Sequence, residues 1–122
     1  MKTGQDSWRK LMDRIHEIII VEGRHDTQQL KKYFDCETIE TGGSSIDDKV
    51  IERIRYAADT QGVIVFTDPD TPGNQIRHII NQYVPNCKNA FVEKRNARTE
   101  KKVGIEHADK DTLWNALQNV VT

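Results

Sequence analysis

Val63-Ile64-Val65-Phe66-Thr67-Asp68-Pro69-Asp70-Thr71-Pro72-Gly73 is an apolar, β-favouring run that ends in two carboxylates one residue apart and breaks at Pro72-Gly73. Such a continuous apolar run reads as a strand buried on both faces, the mark of a parallel sheet. Its carboxyl end then delivers Asp68 and Asp70 into a crevice, where open parallel sheets bind their ligands. Two hard oxygen ligands side by side on a rigid element suit Mg²⁺ that expects a phosphate to complete its shell. Ile18-Ile19-Ile20-Val21-Glu22-Gly23-Arg24 repeats the arrangement, with a carboxylate at the strand end and a cation two residues on. The two strand ends together point to metal-dependent chemistry on a phosphodiester. Aspartates at strand ends also serve as helix caps and turn residues, and Asp-Pro-Asp admits that reading too.

Strand-like and helix-like segments alternate along the rest of the chain, which predicts an α/β fold. Trp8, Leu11, Met12 and Ile15 recur at helical spacing and predict a short opening helix. Glu17 to Val21 reads as the first strand. A helix follows, capped by Asp26 or Thr27, that buries Leu30, Tyr33 and Phe34. Thr38 to Thr41 is a poorer second strand ended by Gly42-Gly43-Ser44-Ser45. Ile46, Val50, Ile51, Ile54, Ala57 and Ala58 mark an amphipathic helix ahead of the third strand, Val63 to Phe66. Pro72 suits the first turn of the next helix, which carries Ile76, Ile79, Ile80 and Tyr83 and stops at Pro85. Ala90-Phe91-Val92 reads as a fourth strand, Glu93 to Glu106 as a long loop, and Leu113, Trp114, Leu117 and Val120 as a closing helix. If Glu22, Asp68 and Asp70 share one site, the first and third strands are neighbours. Right-handed crossovers then give a four-stranded parallel sheet of order 2-1-3-4 with helices on both faces.

A chain of 122 residues is long enough for one core and too short for two, so a single domain over residues 1–122 is expected. No apolar run approaches the roughly 20 residues that span a bilayer, and the first residues carry no apolar signal region. Cys36 and Cys87 are isolated, with no metal-ligand spacing, and read as reduced structural thiols in a cytoplasmic protein. A net charge of −1 does not announce a nucleic-acid binder by bulk electrostatics. The charge is uneven, however: Lys94, Arg95, Arg98, Lys101 and Lys102 face only Glu100. That strip reads equally as a phosphate-backbone contact or as a solvated loop.

Val21-Glu22-Gly23-Arg24-His25-Asp26 followed by Thr67-Asp68-Pro69-Asp70-Thr71-Pro72-Gly73 resembles the paired motifs of the Toprim domain, a Rossmann-like fold. Topoisomerases, bacterial primases, certain nucleases and a recombination-mediator family share that domain. Ile39-Glu40-Thr41-Gly42-Gly43-Ser44, Pro85-Asn86-Cys87-Lys88-Asn89-Ala90-Phe91 and Gly104-Ile105-Glu106-His107-Ala108 extend the likeness to the ribonuclease M-five family, which matures 5S ribosomal RNA. The resemblance implies that Glu22 is a general acid/base or metal ligand, that Asp68 and Asp70 are the metal-binding pair, and that Glu106 is a further acidic ligand. It implies Mg²⁺ or Mn²⁺ as cofactor. Gly23 lets the backbone approach a substrate phosphate, and Arg24, where relatives place Lys, keeps a phosphate contact. His107 reads equally as a phosphate contact or an orienting partner of Glu106 and as a solvated loop histidine. His25 stands where the maturation nuclease has Asp, and the chain ends where that nuclease carries a further domain. A small standalone Toprim unit is therefore expected.

The function expected is cleavage of RNA or DNA by a metal-assisted site, with nucleophilic water activated by the metal or Glu22. The other class in play is a non-catalytic Toprim module that binds nucleic acid or recruits a protein partner, which supplies the specificity. If the strip from Lys94 to Lys102 holds a phosphate backbone, replacing Arg95, Arg98 and Lys101 with Ala should weaken binding equally for all sequences. The log–log salt slope should flatten by about 0.7–0.9 for each lost contact. Binding isotherms at several salt concentrations decide this, and an unaltered slope retires the loop as a contact.

Overall fold

The computed structural model describes residues 12–43, 45–92 and 104–122. In chain order the elements are β1 (Asp13–Arg14), β2 (Ile18–Val21), α1 (Arg24–Tyr33), β3 (Phe34–Asp35), β4 (Thr38–Glu40) and α2 (Asp48–Thr60). There follow β5 (Val63–Phe66), α3 (Thr71–Tyr83), β6 (Lys88–Ala90), a 3₁₀ turn (Ile105–His107) and α4 (Lys110–Gln118). The main sheet is parallel throughout and runs β4-β2-β5-β6. Counted by its own strands in chain order, that is 2-1-3-4. Beside it lies a feature not expected from sequence, a two-stranded parallel pair of β1 and β3.

The side-chain alternation of the two central strands builds two cores, one on each face. Ile19, Val21, Ile64 and Phe66 pack with Leu30 of α1 and with Leu113, Ala116 and Leu117 of α4. Ile20, Val63 and Val65 pack with Ile54 and Ala57 of α2 and with Ile76 and Ile80 of α3. Trp114 stacks on Phe34, ring centroids 5.7 Å apart. The two free cysteines are buried on opposite sides, Cys36 in the first core and Cys87 in the second. Among the described residues no helix is long and apolar enough to cross a membrane.

Several boundaries differ from the sequence expectation. The opening helix does not reach Ile15, because Asp13 and Arg14 pair in β1 instead, held by an Arg14–Asp35 ion pair at 2.9 Å; Trp8 and Leu11 lie outside the described residues. Helix α1 starts before Asp26, with Gly23 as its N-cap, and Asp26 reaches back from the third helical position to the Gly23 N–H at 3.4 Å. Thr27 is not a cap: its hydroxyl donates to Glu40 Oε2 at 2.7 Å. Phe34 leaves the helix for β3. The last strand is Lys88–Ala90 rather than Ala90 to Val92, since Lys88, Asn89 and Ala90 are the residues that pair with Ile64, Val65 and Phe66 of β5; Asn89 also bridges to Val121.

Helix α3 begins as its sequence dictates. Asp70 caps it by accepting from Gly73 N at 2.8 Å, and Pro72 sits in the first turn, where its missing N–H costs nothing. Gly73 is needed for space: a Cβ there would lie 2.2 Å from the Asp68 carbonyl oxygen. Backbone of the Asp68 turn would have to move, so Gly73→Ala should destabilise the domain by about 1–3 kcal/mol. Chemical denaturation of the two proteins measures it. A midpoint equal to wild type would show that the turn is slack.

Candidate active site at the carboxyl ends of the strands

Strands β2 and β5 are paired with Ile20 opposite Val65, so the residues that follow them leave the sheet side by side. Glu22 leaves the first strand and Asp68 the second. The Asp68 N–H donates to Glu22 Oε1 at 3.0 Å, which joins the two motifs directly. The chain then turns tightly, with Asp70 N donating to Asp68 O at 2.9 Å. On the other flank Gly42 closes the turn after β4 by donating its N–H to the Glu22 carbonyl at 3.0 Å. Its φ of +81° lies in the left-handed region that glycine adopts without strain.

The segment at Gly104 folds onto the same edge. Ile105 N donates to Asp68 Oδ1 at 2.8 Å, and Gln29 of α1 pins the segment by donating to the Ala108 carbonyl at 2.6 Å. This places Glu106 at the rim, where Oε2 lies 3.3 Å from His25 Nδ1 and Oε1 lies 3.0 Å from His107 Nε2. The structure thus brings Glu22, Asp68 and Asp70 to one turn and joins Glu106 to the two histidines rather than to that trio. Arg24 is exposed at the start of α1, and open space lies where a Gly23 side chain would stand. Lys94, Arg95, Arg98, Lys101 and Lys102 lie outside the described residues.

Sequence reasoning treated Asp26 only as a helix cap, yet it is the buried member of the acidic group, 6% exposed. A signal was present: Asp26, Leu30 and Phe34 are spaced four apart, which sets the carboxyl on the apolar stripe of α1. Burial, followed by the Asp68 carboxylate, pushes the Asp26 carboxyl up to about 6, and the Gly23 N–H only partly opposes this. Burial also raises the Glu22 carboxyl, with Asp68 and Asp70 adding to the rise against the Asp68 N–H bond. Among the described residues no Lys or Arg forms an ion pair with Glu22, Asp26, Asp68 or Asp70.

Arg77 of α3 was also missed, because a cation on the flank of an amphipathic helix ordinarily points to solvent. Here Nη1 donates to the Val65 carbonyl and Asn89 Oδ1, each at 3.1 Å. Nη2 donates to Thr67 O at 3.3 Å and Ala90 O at 2.7 Å. The guanidinium therefore ties the exits of β5 and β6 together just below Asp68.

The donor set fits a hard divalent cation. It consists of carboxylates alone, and one oxygen each of Glu22, Asp68 and Asp70 is anchored by a backbone N–H. The opposite oxygens accept no hydrogen bond among the described residues. Uncompensated negative charge at one turn is what a cation relieves. Among the described residues, however, no three His, Cys, Asp or Glu side chains stand grouped so as to hold a metal ion as they are.

The parallel sheet, its switch point between β2 and β5 and the acidic turn there define a class, and the comparisons agree: residues 17–99 match the Toprim domain family. The chain belongs to that family. It is 55% identical over 109 residues to the Ribonuclease M5 of Lactococcus lactis, a match covering 88% of this chain and 53% of that protein. To the Ribonuclease M5 of Bacillus subtilis it is 50% identical over 109 residues, covering 88% and 59%. The chain thus spans a little over half the length of these curated relatives. A solved small Toprim domain protein from Bacillus stearothermophilus superposes with a TM-score of 0.64 over 90% of both chains, at 20% identity. That likeness concerns the fold.

The acidic group makes stability depend on pH. An acid whose pKa rises on folding, here from 3.8 to about 6 for Asp26, holds its proton more tightly in the fold. Its contribution is full below its ordinary value and is lost as pH climbs through that window. Asp26→Asn removes the loss. Its advantage over wild type should grow from nothing near pH 4 to at most about 3 kcal/mol above pH 6 in metal-free buffer. Denaturation midpoints of both proteins across that range test it, and parallel curves would mean that Asp26 is not strained.

Proposed function

We propose that this domain hydrolyses phosphodiester bonds in RNA with the help of a divalent metal ion, Mg²⁺ or Mn²⁺. The observation that carries the reading is the bond from Asp68 N–H to the Glu22 carboxylate at the switch point of the sheet. It sets a proton-accepting group beside the aspartate pair. RNA is favoured over DNA because the relatives it resembles are ribonucleases.

Asp68 and Asp70 would hold the ion, with Glu22 as a third oxygen ligand or as the base. When bound, the ion supplies charge stabilisation to the phosphoryl oxygens during in-line displacement. Glu22 is suited to accept the proton of the attacking water, since burial and its acidic neighbours raise its basicity. Asp68 N–H fixes the carboxylate's orientation. Glu106, braced by His25 and His107, borders the side on which a phosphate would enter. Arg24 and the strip from Lys94 to Lys102 would hold the backbone without reading sequence.

A second reading, a binding module whose protein partner supplies specificity, is favoured by the lack of a closed ligand cage among the described residues. Asp68→Ala separates the two. Under the nuclease reading it should lower cleavage of labelled RNA more than roughly 100-fold, while RNA affinity changes little. Millimolar Mg²⁺ or Mn²⁺ should raise wild-type stability, by about 2.7 kcal/mol at 100 times its Kd, and leave Asp68→Ala unmoved. Identical behaviour of the two proteins in both measurements would make the binding module the better reading.

A further inference from the structure

We propose that Phe91 is a stacking platform for one unpaired nucleobase of the nucleic acid whose phosphate lies at Asp68. The inference rests on the nuclease reading above and adds a base subsite to it. Placement comes first. β5 and β6 are parallel with Phe66 opposite Ala90, so Phe91 leaves β6 beside the turn that carries Thr67 and Asp68. Arg77 Nη2 bridges the Thr67 and Ala90 carbonyls at 3.3 and 2.7 Å, which ties the platform and the acidic turn to one clamp.

Exposure alone would mean little, because single apolar side chains on surfaces are common. Phe91, 52% exposed between two buried neighbours, Ala90 and Val92, has more than exposure. Its ring centroid lies 4.1 Å from Arg77 Cζ, so the guanidinium backs the ring. That guanidinium is immobilised by its bonds to the carbonyls of Val65, Thr67 and Ala90 and to Asn89 Oδ1. The ring is therefore held in place before any ligand arrives, which lowers the entropy lost on stacking. Arginine beneath the ring also adds positive potential where a polyanion would pass.

Phe91 further lines a cavity of about 250 Å³ with Thr112, Asn115, Ala116 and Asn119 of α4 and its carboxyl end. This is below the roughly 300–1,000 Å³ of clefts that enclose drug-sized ligands, and in proportion to one planar heterocycle. Asn115 is exposed at this cavity, and its side-chain amide can offer both donors and an acceptor to a base edge. An aromatic face beside an amide, one strand from the reacting phosphate, is the chemistry that holds a splayed base.

The test uses short single-stranded RNA, intact or with an abasic site scanned along it, against wild type, Phe91→Leu and Phe91→Trp. Leu keeps the apolar cover over Arg77 and removes the π face, and thermal melting verifies that each variant folds. Phe91→Leu should bind intact RNA roughly 5- to 150-fold more weakly, and Phe91→Trp should bind like wild type. At one abasic position, wild type and Phe91→Leu should bind equally. Emission of Phe91→Trp, relative to wild type, should be quenched by intact RNA and not by inorganic phosphate. Equal affinity of wild type and Phe91→Leu for intact RNA overturns the platform and leaves the nuclease reading standing. So does a loss that is the same for intact RNA and for every abasic strand, which would mark Phe91 as a cover for Arg77 or a protein contact. Failure of wild type to bind or cleave any RNA overturns both.

Discussion

The parallel pairing of β2 with β5 is the constraint on which the rest of the molecule depends. It sets two strands with fully buried centres side by side, and its register decides which residues emerge together at the carboxyl edge. A slip of β2 by one residue would turn that strand over, sending Ile19 and Val21 to the face of α2 and α3 and Ile20 to the face of α1 and α4. It would also move Glu22 away from the Asp68 N–H. Hydrophobic burial on two faces thereby fixes a polar contact at the strand ends far more firmly than that single hydrogen bond could fix itself.

The acidic turn runs against this stability. Four carboxyl groups, those of Glu22, Asp26, Asp68 and Asp70, gather at this edge, and burial with the neighbouring carboxylates disfavours the ionised forms of Glu22 and Asp26. Helix geometry offsets part of the cost, since Asp70 caps α3 and Asp26 answers the first N–H before α1. Arg77 contributes by a different route: its charge is spent on backbone carbonyls below the turn, which stiffens the scaffold without neutralising the carboxylates. Under the nuclease proposal, negative charge left uncompensated on a stiff backbone is what an incoming cation would meet.

Much of this was legible in the chain. The apolar runs at Ile18 to Val21 and Val63 to Phe66 admit only strands buried on both faces, and Pro72-Gly73 locates the helix that follows. Strand order followed from one chemical requirement, that Glu22 and Asp68 meet. Three things were hidden, each for a physical reason. The β1–β3 pair is too short to show any alternation, and its residues fell under a helical period. Asp26 carries the signature of a cap, because a carboxyl at the third helical position and a buried acid share the same local sequence. The role of Arg77, and the placement of Glu106 against His25 rather than with the aspartates, depend on contacts between distant segments, which local pattern does not encode.

The two thiols acquire a use from their positions. Cys36 and Cys87 lie in different cores with the whole sheet between them, so they cannot meet in a disulfide while the fold persists. Burial holds the Cys36 thiol up at about 11 and raises that of Cys87, whose Sγ–H donates to the Val84 carbonyl at 2.9 Å. Both are unreactive as long as their layer stays shut. Each regains the ordinary acidity and accessibility of a free thiol only when its own layer opens. The domain thus carries two native reporters of breathing, one per face, and unequal alkylation of the pair would reveal which side of the sheet loosens first.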